Sequence, residues 1–302
     1  MLGFTQTITR RFLASALGLT LAVTTSACRD SAGPAAPETL RGSDAPSLIV
    51  NGTPDESGAW PAVGALMFDQ NADGIFEARE RICTGSLISP THFLTAAHCA
   101  FAVRLLTQLE VTQRYAVSFD ADLKTMSNRL AVVDVTVDPR YAYTPSLGAK
   151  PVADMAIVTL AAGQTTGITP MRLPAPGAID AARLAGLFDA TLIVNVGYGI
   201  GIASSGYPIA YRNDYLRMVS RSPYMATTPT YFGLLMNVAA TGEGGDCNGD
   251  SGGPKMLDRD GYRDVVLAIV VTGDQHCRAS SWNWRLDTDA ARSFLGQFVP
   301  LP

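Results

Sequence analysis

Residues 94–99 read Leu94-Thr95-Ala96-Ala97-His98-Cys99, and far downstream residues 247–254 read Cys247-Asn248-Gly249-Asp250-Ser251-Gly252-Gly253-Pro254. The first stretch ends an apolar run on a histidine beside a cysteine able to staple the turn; the second sets a serine in a glycine-rich loop. A serine hydroxyl is a poor nucleophile at neutral pH until a neighbouring imidazole takes its proton. The imidazole in turn needs a buried carboxylate to fix its tautomer and stabilise its charged form. Asp154, in Ala153-Asp154-Met155-Ala156-Ile157-Val158, heads an apolar strand able to bury it. Asp120, Asp122, Asp134 and Asp138 compete for that role, but none leads into a continuous apolar strand. Gly249, Gly252 and Gly253 let the backbone fold tightly around Ser251, so that the amides of Gly249 and Ser251 can face a developing oxyanion. The other two histidines read as structural, His92 in an exposed turn before Phe93 and His276 in a loop beside Cys277.

Outward from these stretches, short β-branched and apolar runs recur between turn signals at 62–68, 87–94, 115–119, 132–137, 156–160, 191–196, 216–219 and 265–271. That spacing predicts an all-β barrel or sandwich rather than alternating βαβ units. One helix stands out, over 287–298, with Ala290, Ala291, Phe294, Leu295 and Phe298 on one face. Residues 1–27 read as an export signal, Arg10 and Arg11 preceding an apolar run over 12–23 too short to span a bilayer. Thr9-Arg10-Arg11-Phe12-Leu13 also carries a weak twin-arginine signature. Ser26-Ala27-Cys28 resembles the bacterial lipobox, with Thr25 where that motif prefers leucine. Two outcomes stay open, acylation of Cys28 and plain cleavage after Ala27, and both put the folded part where disulfides persist. Residues 28–48, with Pro34, Pro37 and Pro46 and no apolar periodicity, read as a flexible tether or pro-segment. Charged residues are only 17% of the 302, against 28 Gly and 18 Pro, which excludes a coiled coil or an acidic disordered tail. With 23 Lys and Arg against 27 Asp and Glu, and no basic block, there is no electrostatic reason to expect nucleic-acid binding.

Ile49-Val50-Asn51-Gly52, Cys83-Thr84-Gly85-Ser86-Leu87-Ile88, the His98 and Asp154 segments, Gly197-Tyr198-Gly199 and the Ser251 loop together make the chain similar to the trypsin/chymotrypsin-like serine proteases, in a bacterial-type exported form. The resemblance implies an all-β fold of two packed six-stranded antiparallel barrels with a C-terminal helix, the active site lying in the cleft between barrels. Here that means a protease domain at 49–302, its first barrel at about 49–165, its second at 166–286 and the helix at 287–298. It implies a serine endopeptidase in which Ser251 attacks the peptide carbonyl, His98 acts as base then acid, Asp154 orients His98, and the Gly249 and Ser251 amides hold the oxyanion. It also implies disulfides Cys83–Cys99 and Cys247–Cys277, which leaves Cys28 unpaired and strengthens the lipobox reading. No cofactor takes part in cleavage. The expected partners are protein or peptide substrates and proteinaceous inhibitors; a membrane is reached only through a lipid anchor on Cys28, and a monomer works at the cell envelope or outside the cell. Two rivals remain. Gly249 to Gly253 also satisfies the G-x-S-x-G elbow of α/β-hydrolases, though only His276 follows Ser251 and no βαβ pattern surrounds it. A silent, protease-like binding module normally lacks a triad residue, and all three are present.

By the family pattern Gly245 falls at the base of the specificity pocket, Asp246 comes next, and Val271-Thr272-Gly273 forms a wall. A glycine base favours small or medium apolar side chains, while an inward-facing Asp246 attracts a basic one; the apolar reading is taken, because a position beside the cysteine need not face the cavity. In the family a new N-terminus beginning Ile-Val-x-Gly folds inward and pairs with the aspartate before the serine, here Ile49 with Asp250. The junction Ser47-Leu48-Ile49 suits an apolar-preferring activator, the protein itself included; a cut after Arg41 leaves seven residues ahead of Ile49. Finally, residues 69–80 match the D-x-[DN]-x-[DN]-G-x5-E pattern, offering Asp69, Asn71, Asp73, Glu77 and Glu80 as oxygen ligands for a structural Ca2+. The same residues also make a plain polar hairpin tip.

Overall fold

Strands buried along nearly their whole length close the sheet of the first half on itself. The computed structural model describes residues 49–302 apart from 105, 143–149, 190 and 205–207; the export signal, Cys28 and the tether lie outside the described residues. A short β1 (Thr53–Pro54) is followed by β2 (Val63–Phe68), β3 (Arg81–Ser89), β4 (His92–Thr95), β5 (Tyr115–Ser118), β6 (Leu130–Val137) and β7 (Ala156–Leu160). The last six form a closed barrel in the order β2-β3-β4-β7-β6-β5. Its strands place Leu66, Leu87, Phe93, Leu94, Val117, Ile157 and Val158 in one buried cluster that covers both faces of the sheet. Each such side chain contributes about 1.5–3 kcal/mol by leaving water. The apolar run 87–94 is not one strand but the junction of a hairpin. Pro90 lacks a ladder donor, and the Ser89 hydroxyl takes the amides of Thr91 and His92, so turn chemistry overrides the continuous hydrophobicity. His92 consequently starts a strand rather than sitting exposed in a turn. Its Nδ1 lies 2.7 Å from Ser89 Oγ, its ring faces Phe298, and burial lowers its pKa.

The second half opens with β8 (Ile193–Gly197), the small hairpin β9 (Gly201–Ser204) and β10 (Ala210–Arg212), then β11 (Met218–Ser222) and β12 (Tyr224–Thr227). It continues with β13 (Tyr231–Leu235), β14 (Pro254–Leu257), β15 (Ala268–Gly273) and β16 (Ser280–Arg285). Apart from the β9–β10 hairpin, these make an eight-stranded sheet, β1-β11-β8-β14-β15-β16-β13-β12. The all-β double-barrel architecture holds, with one difference in detail: six-stranded closure belongs to the first half, and the second is an open, half-barrel sheet that recruits β1 from the start of the chain. Val50 pairing with Gly245 and Thr53 with Val219 carry the N-terminal segment across. Among the described residues every pair of named strands is antiparallel, the isolated bridge Arg172–Val265 alone being parallel. That removes the parallel sheet an α/β-hydrolase elbow requires. The C-terminal helix is Asp289–Leu295, shorter than the 287–298 of the sequence pattern because Thr288 caps it, its hydroxyl taking the Ala291 amide.

Polar side chains join the halves. Arg217, just ahead of β11, pairs with buried Asp55 at 2.8 Å and donates to the Phe119 carbonyl of the first barrel. The Tyr198 hydroxyl donates to the Asp120 carbonyl. Thr84 in β3 donates its hydroxyl to the Gly249 carbonyl and its amide to the Ser251 carbonyl. The loop of Ser251 is therefore anchored on the first barrel.

Candidate active site

β4 ends at Thr95, and the chain turns through Ala97 into the helical segment that carries His98. The turn is held from two sides. Cys99 is bonded to Cys83 on β3, their Cα atoms 6.1 Å apart. Asp154, fully buried just before β7, accepts the His98 amide at 2.9 Å and lies 2.7 Å from His98 Nδ1. A carboxylate that fixes both the backbone and the ring of one histidine leaves that ring little freedom, and its second nitrogen faces away from the acid. The other acids are occupied elsewhere. Asp120 takes the amides of Ser127 and Asn128, Asp122 caps the turn at Lys124, Asp134 accepts the Thr136 hydroxyl, and Asp138 pairs with Arg140.

Ser251 approaches from the other half. Its carbonyl oxygen accepts the Thr84 amide and lies 3.9 Å from Cys99 Sγ, so the serine loop rests on the histidine turn. No hydrogen bond joins the Ser251 hydroxyl to His98, a looseness that nucleophile and base pairs commonly have before a substrate draws them together. Two glycines make the close approach feasible. At Gly252, with φ 81°, a Cβ would stand 2.3 Å from Thr95 Oγ1; at Gly249, with φ 99°, it would stand 1.5 Å from an Arg81 guanidinium nitrogen. Among the described residues no protein acceptor takes the Gly249 or Ser251 amide.

Asp250 points the other way, into the protein, where its oxygens accept the amides of Gly199 at 2.7 Å and Cys247 at 2.8 Å. Burial, and then the nearby charge of Asp246, push its carboxyl up to about 7. Among the described residues it has no ion-pair partner. Ile49, the residue matched with it in the sequence, is fully buried against Met218 and Leu216 at φ 41°, a left-handed conformation that a β-branched residue rarely adopts. No hydrogen bond or ion pair joins Ile49 to Asp250 in the uncut chain. Arg81, which the sequence reading passed over, is 9% exposed with its Nε unpartnered, burial lowering its pKa and Asp250 partly offsetting that.

Beside Ser251 opens a cavity of about 220 Å³ lined by Asp246, Val271, Thr272, Gly273, Met236 and Ser281. Gly245 is not among its lining residues. Met236 packs where a Gly245 side chain would go, 2.4 Å from the Cβ position, and forms that part of the lining instead. Asp246 does face the cavity, contrary to the assumption behind the apolar reading. Its Oδ1 accepts the ammonium of buried Lys255 at 2.6 Å and its Oδ2 the Ser281 hydroxyl at 2.7 Å. The Cys247–Cys277 disulfide braces this side, Cα atoms 5.2 Å apart.

In the loop at 69–80 the carboxylates serve the loop itself. Asp69 accepts the amides of Ala72 and Gly74, Glu80 those of Gln70 and Glu77, and Asp73 that of Ile75. Among the described residues the one convergence of three potential metal-ligating side chains is Cys83, Cys99 and His98, whose thiols are spent on each other in a disulfide.

An antiparallel two-part fold, with an acid-bound histidine on one part and a serine in a glycine loop on the other, defines a serine-hydrolase type of site. The family model described as Trypsin matches residues 49–282, and the chain belongs to that family. Over 105 residues it is 30% identical to a venom serine protease of Polistes dominula, covering 33% of this chain and 34% of that one. Over 113 residues it is 31% identical to the venom serine protease Bi-VSP of Bombus ignitus, covering 37% of this chain and 29% of that one. The matched stretch thus spans about a third of the length of these curated relatives.

Proposed function

We propose that this protein is an exported serine endopeptidase that cleaves protein substrates by acyl transfer. The observation that carries the reading is the double attachment of His98 to buried Asp154, with the Ser251 loop resting on the same turn. Ser251 attacks the carbonyl carbon, His98 takes the hydroxyl proton and returns it to the leaving amine, and water repeats the sequence to release the acid. Asp154 holds the imidazole's tautomer and stabilises the imidazolium. The unengaged amides of Gly249 and Ser251 receive the oxyanion. Ser251→Ala is expected to leave a folded protein with activity lower by about 10⁴-fold or more. Undiminished cleavage by a preparation free of contaminating proteases would remove the proposal.

Activity is switched on by scission before Ile49. Asp250 is a buried acid with no ion-pair contact among the described residues, and the strained φ at Ile49 lies next to the bond to be cut. A freed Ile49 ammonium supplies the missing partner and fixes Gly249 in its donor position. N-terminal sequencing of active enzyme should read Ile-Val-Asn-Gly; full activity from chains still carrying residues 29–48 overturns this scheme. Cleavage outside the cytoplasm, with or without a lipid on Cys28, follows from the export signal, and the mass of the uncut precursor's N-terminal peptide distinguishes the two. The Ca2+ reading of residues 69–80 has the weaker support, since the oxygens it needs already take loop amides. A thermal midpoint indifferent to millimolar Ca2+ is expected, and a rise that disappears in an Asp69→Asn, Asp73→Asn variant would restore the ion.

A further inference from the structure

The lining of the cavity beside Ser251 includes two acids, Asp246 and Asp274; the Asp274 carboxylate takes the amides of its own loop at His276, Arg278, Ala279 and Ser280, and behind Asp246 stands a lysine with no exposed surface. Lys255 lies on β14 between Asn195 and Ala268 of the flanking strands, and its ammonium reaches the Asp246 carboxylate at 2.6 Å. The other carboxylate oxygen is held by Ser281, whose own oxygen also lies 3.2 Å from Asn283 Oδ1, while Asn283 donates to the Phe232 carbonyl. Both oxygens of the Asp246 carboxylate are thus engaged within the protein, while the residue itself lines the cavity. Whichever atom holds the shared proton, ammonium with carboxylate or amine with carboxylic acid, the pair carries no net charge.

On the peptidase reading, this cavity receives the side chain of the residue whose carbonyl is attacked. We propose that Lys255 is the specificity-determining residue of the pocket: by cancelling Asp246 it makes the pocket one for uncharged side chains, and removing either partner gives the pocket the charge of the other. A basic substrate side chain meets an acid already paired and would have to break that pair to use it. An acidic one meets the carboxylate and is repelled. An uncharged side chain packs on Met236, Val271 and Thr272 and leaves the pair undisturbed. The sequence marks Lys255 faintly, as a charged residue in the otherwise apolar, fully buried strand Pro254-Lys255-Met256-Leu257. Nothing local in the sequence links it to Asp246 or Ser281.

The test measures kcat/KM on matched peptide substrates that differ only in lysine, glutamate or an uncharged residue before the scissile bond. The wild-type enzyme should prefer the uncharged residue over both charged ones by at least about tenfold. Lys255→Met should move the ratio of lysine to uncharged substrate upward by about tenfold or more, and Asp246→Asn should do the same for glutamate. The double variant, with neither charge, should return to the wild-type preference. A wild-type enzyme that itself favours lysine or arginine by tenfold overturns the proposal, as do folded single variants with an unchanged profile. If Lys255→Met does not fold, Asp246→Asn and the wild-type profile decide the matter on their own. Failure of the peptidase reading looks different: no Ser251-dependent cleavage of any substrate in the set.

Discussion

Both halves of the domain have apolar cores, but the second also buries a connected network of polar and charged side chains. In the first barrel, Leu66, Leu87, Phe93, Leu94, Val117, Ile157 and Val158 pack on one another, and Asp154 sits at the end of that core beside His98. Inside the second sheet, Asn195 donates to Ser220 and Ser222, Lys255 pairs with Asp246, Ser281 bridges Asp246 and Asn283, and Arg285 pairs with Asp287. An apolar core tolerates little displacement, because its contacts are close-packed and short-ranged. It therefore suits the half that must keep a histidine and an acid in register. A buried polar network is costly to disturb at one point but can be rewritten by changing partners together. It suits the half that forms the walls of a selective pocket.

That contrast can be broken, and the largest expected effect is on the first half's acid. Asp154→Asn keeps the shape but presents an amide donor to a ring nitrogen or a backbone amide that itself donates, so turnover should fall by about 10⁴-fold with little change in folding. Comparable activity in that variant would mean that another acid orients His98. Next come paired stability measurements by urea unfolding. Lys255→Met should cost about 3–5 kcal/mol, because it leaves a buried carboxylate alone, and Asp246→Asn on top of it should recover much of the loss. Leu94→Ala in the first barrel should cost about 2–5 kcal/mol through the cavity it leaves, and no polar substitution nearby should rescue it. Equal rescue in both halves, or in neither, would erase the distinction.

The smallest effect is a pH slope. In the uncut chain Asp250 is held at about 7 against 3.8 for an ordinary aspartate, burial being the main cause. Between those values the folded state keeps a proton that the unfolded chain releases. Stability therefore falls as pH rises from about 4 to about 7, by at most about 1.4 kcal/mol per pH unit, and levels off above. Thermal melts of the uncut Ser251→Ala protein should follow that slope. Asp250→Asn should flatten it, and on the proposed activation scheme so should cleavage before Ile49, whose ammonium would pair with the carboxylate. A slope unchanged by both would assign it to another group.

Much of this molecule is legible before folding is considered. Short apolar runs separated by turn residues point to an all-β barrel or sandwich, since segments of that length bury their apolar side chains in a sheet rather than in alternating βαβ units. The choice of Asp154 over four other acids follows from the apolar strand it heads, and the glycines around Ser251 from the backbone approach they permit. Pairing of the four domain cysteines came with the family resemblance. Other features depend on residues that meet only in space. The hairpin at Pro90 was hidden because both of its strands are apolar. The strands Tyr231–Leu235 and Ser280–Arg285 escaped the pattern. In Ser280–Arg285 the cause is specific: Ser281 and Asn283 are buried among their own hydrogen-bond partners rather than among hydrophobic side chains. Whether Asp246 would act as a charge depended on Lys255, nine residues ahead on a different element, and on Ser281, thirty-five residues ahead. A sequence determines which side chains are available and the period with which they alternate. Only the closed tertiary structure decides which buried charges cancel, because that depends on distances of a few ångströms between segments the chain itself keeps apart.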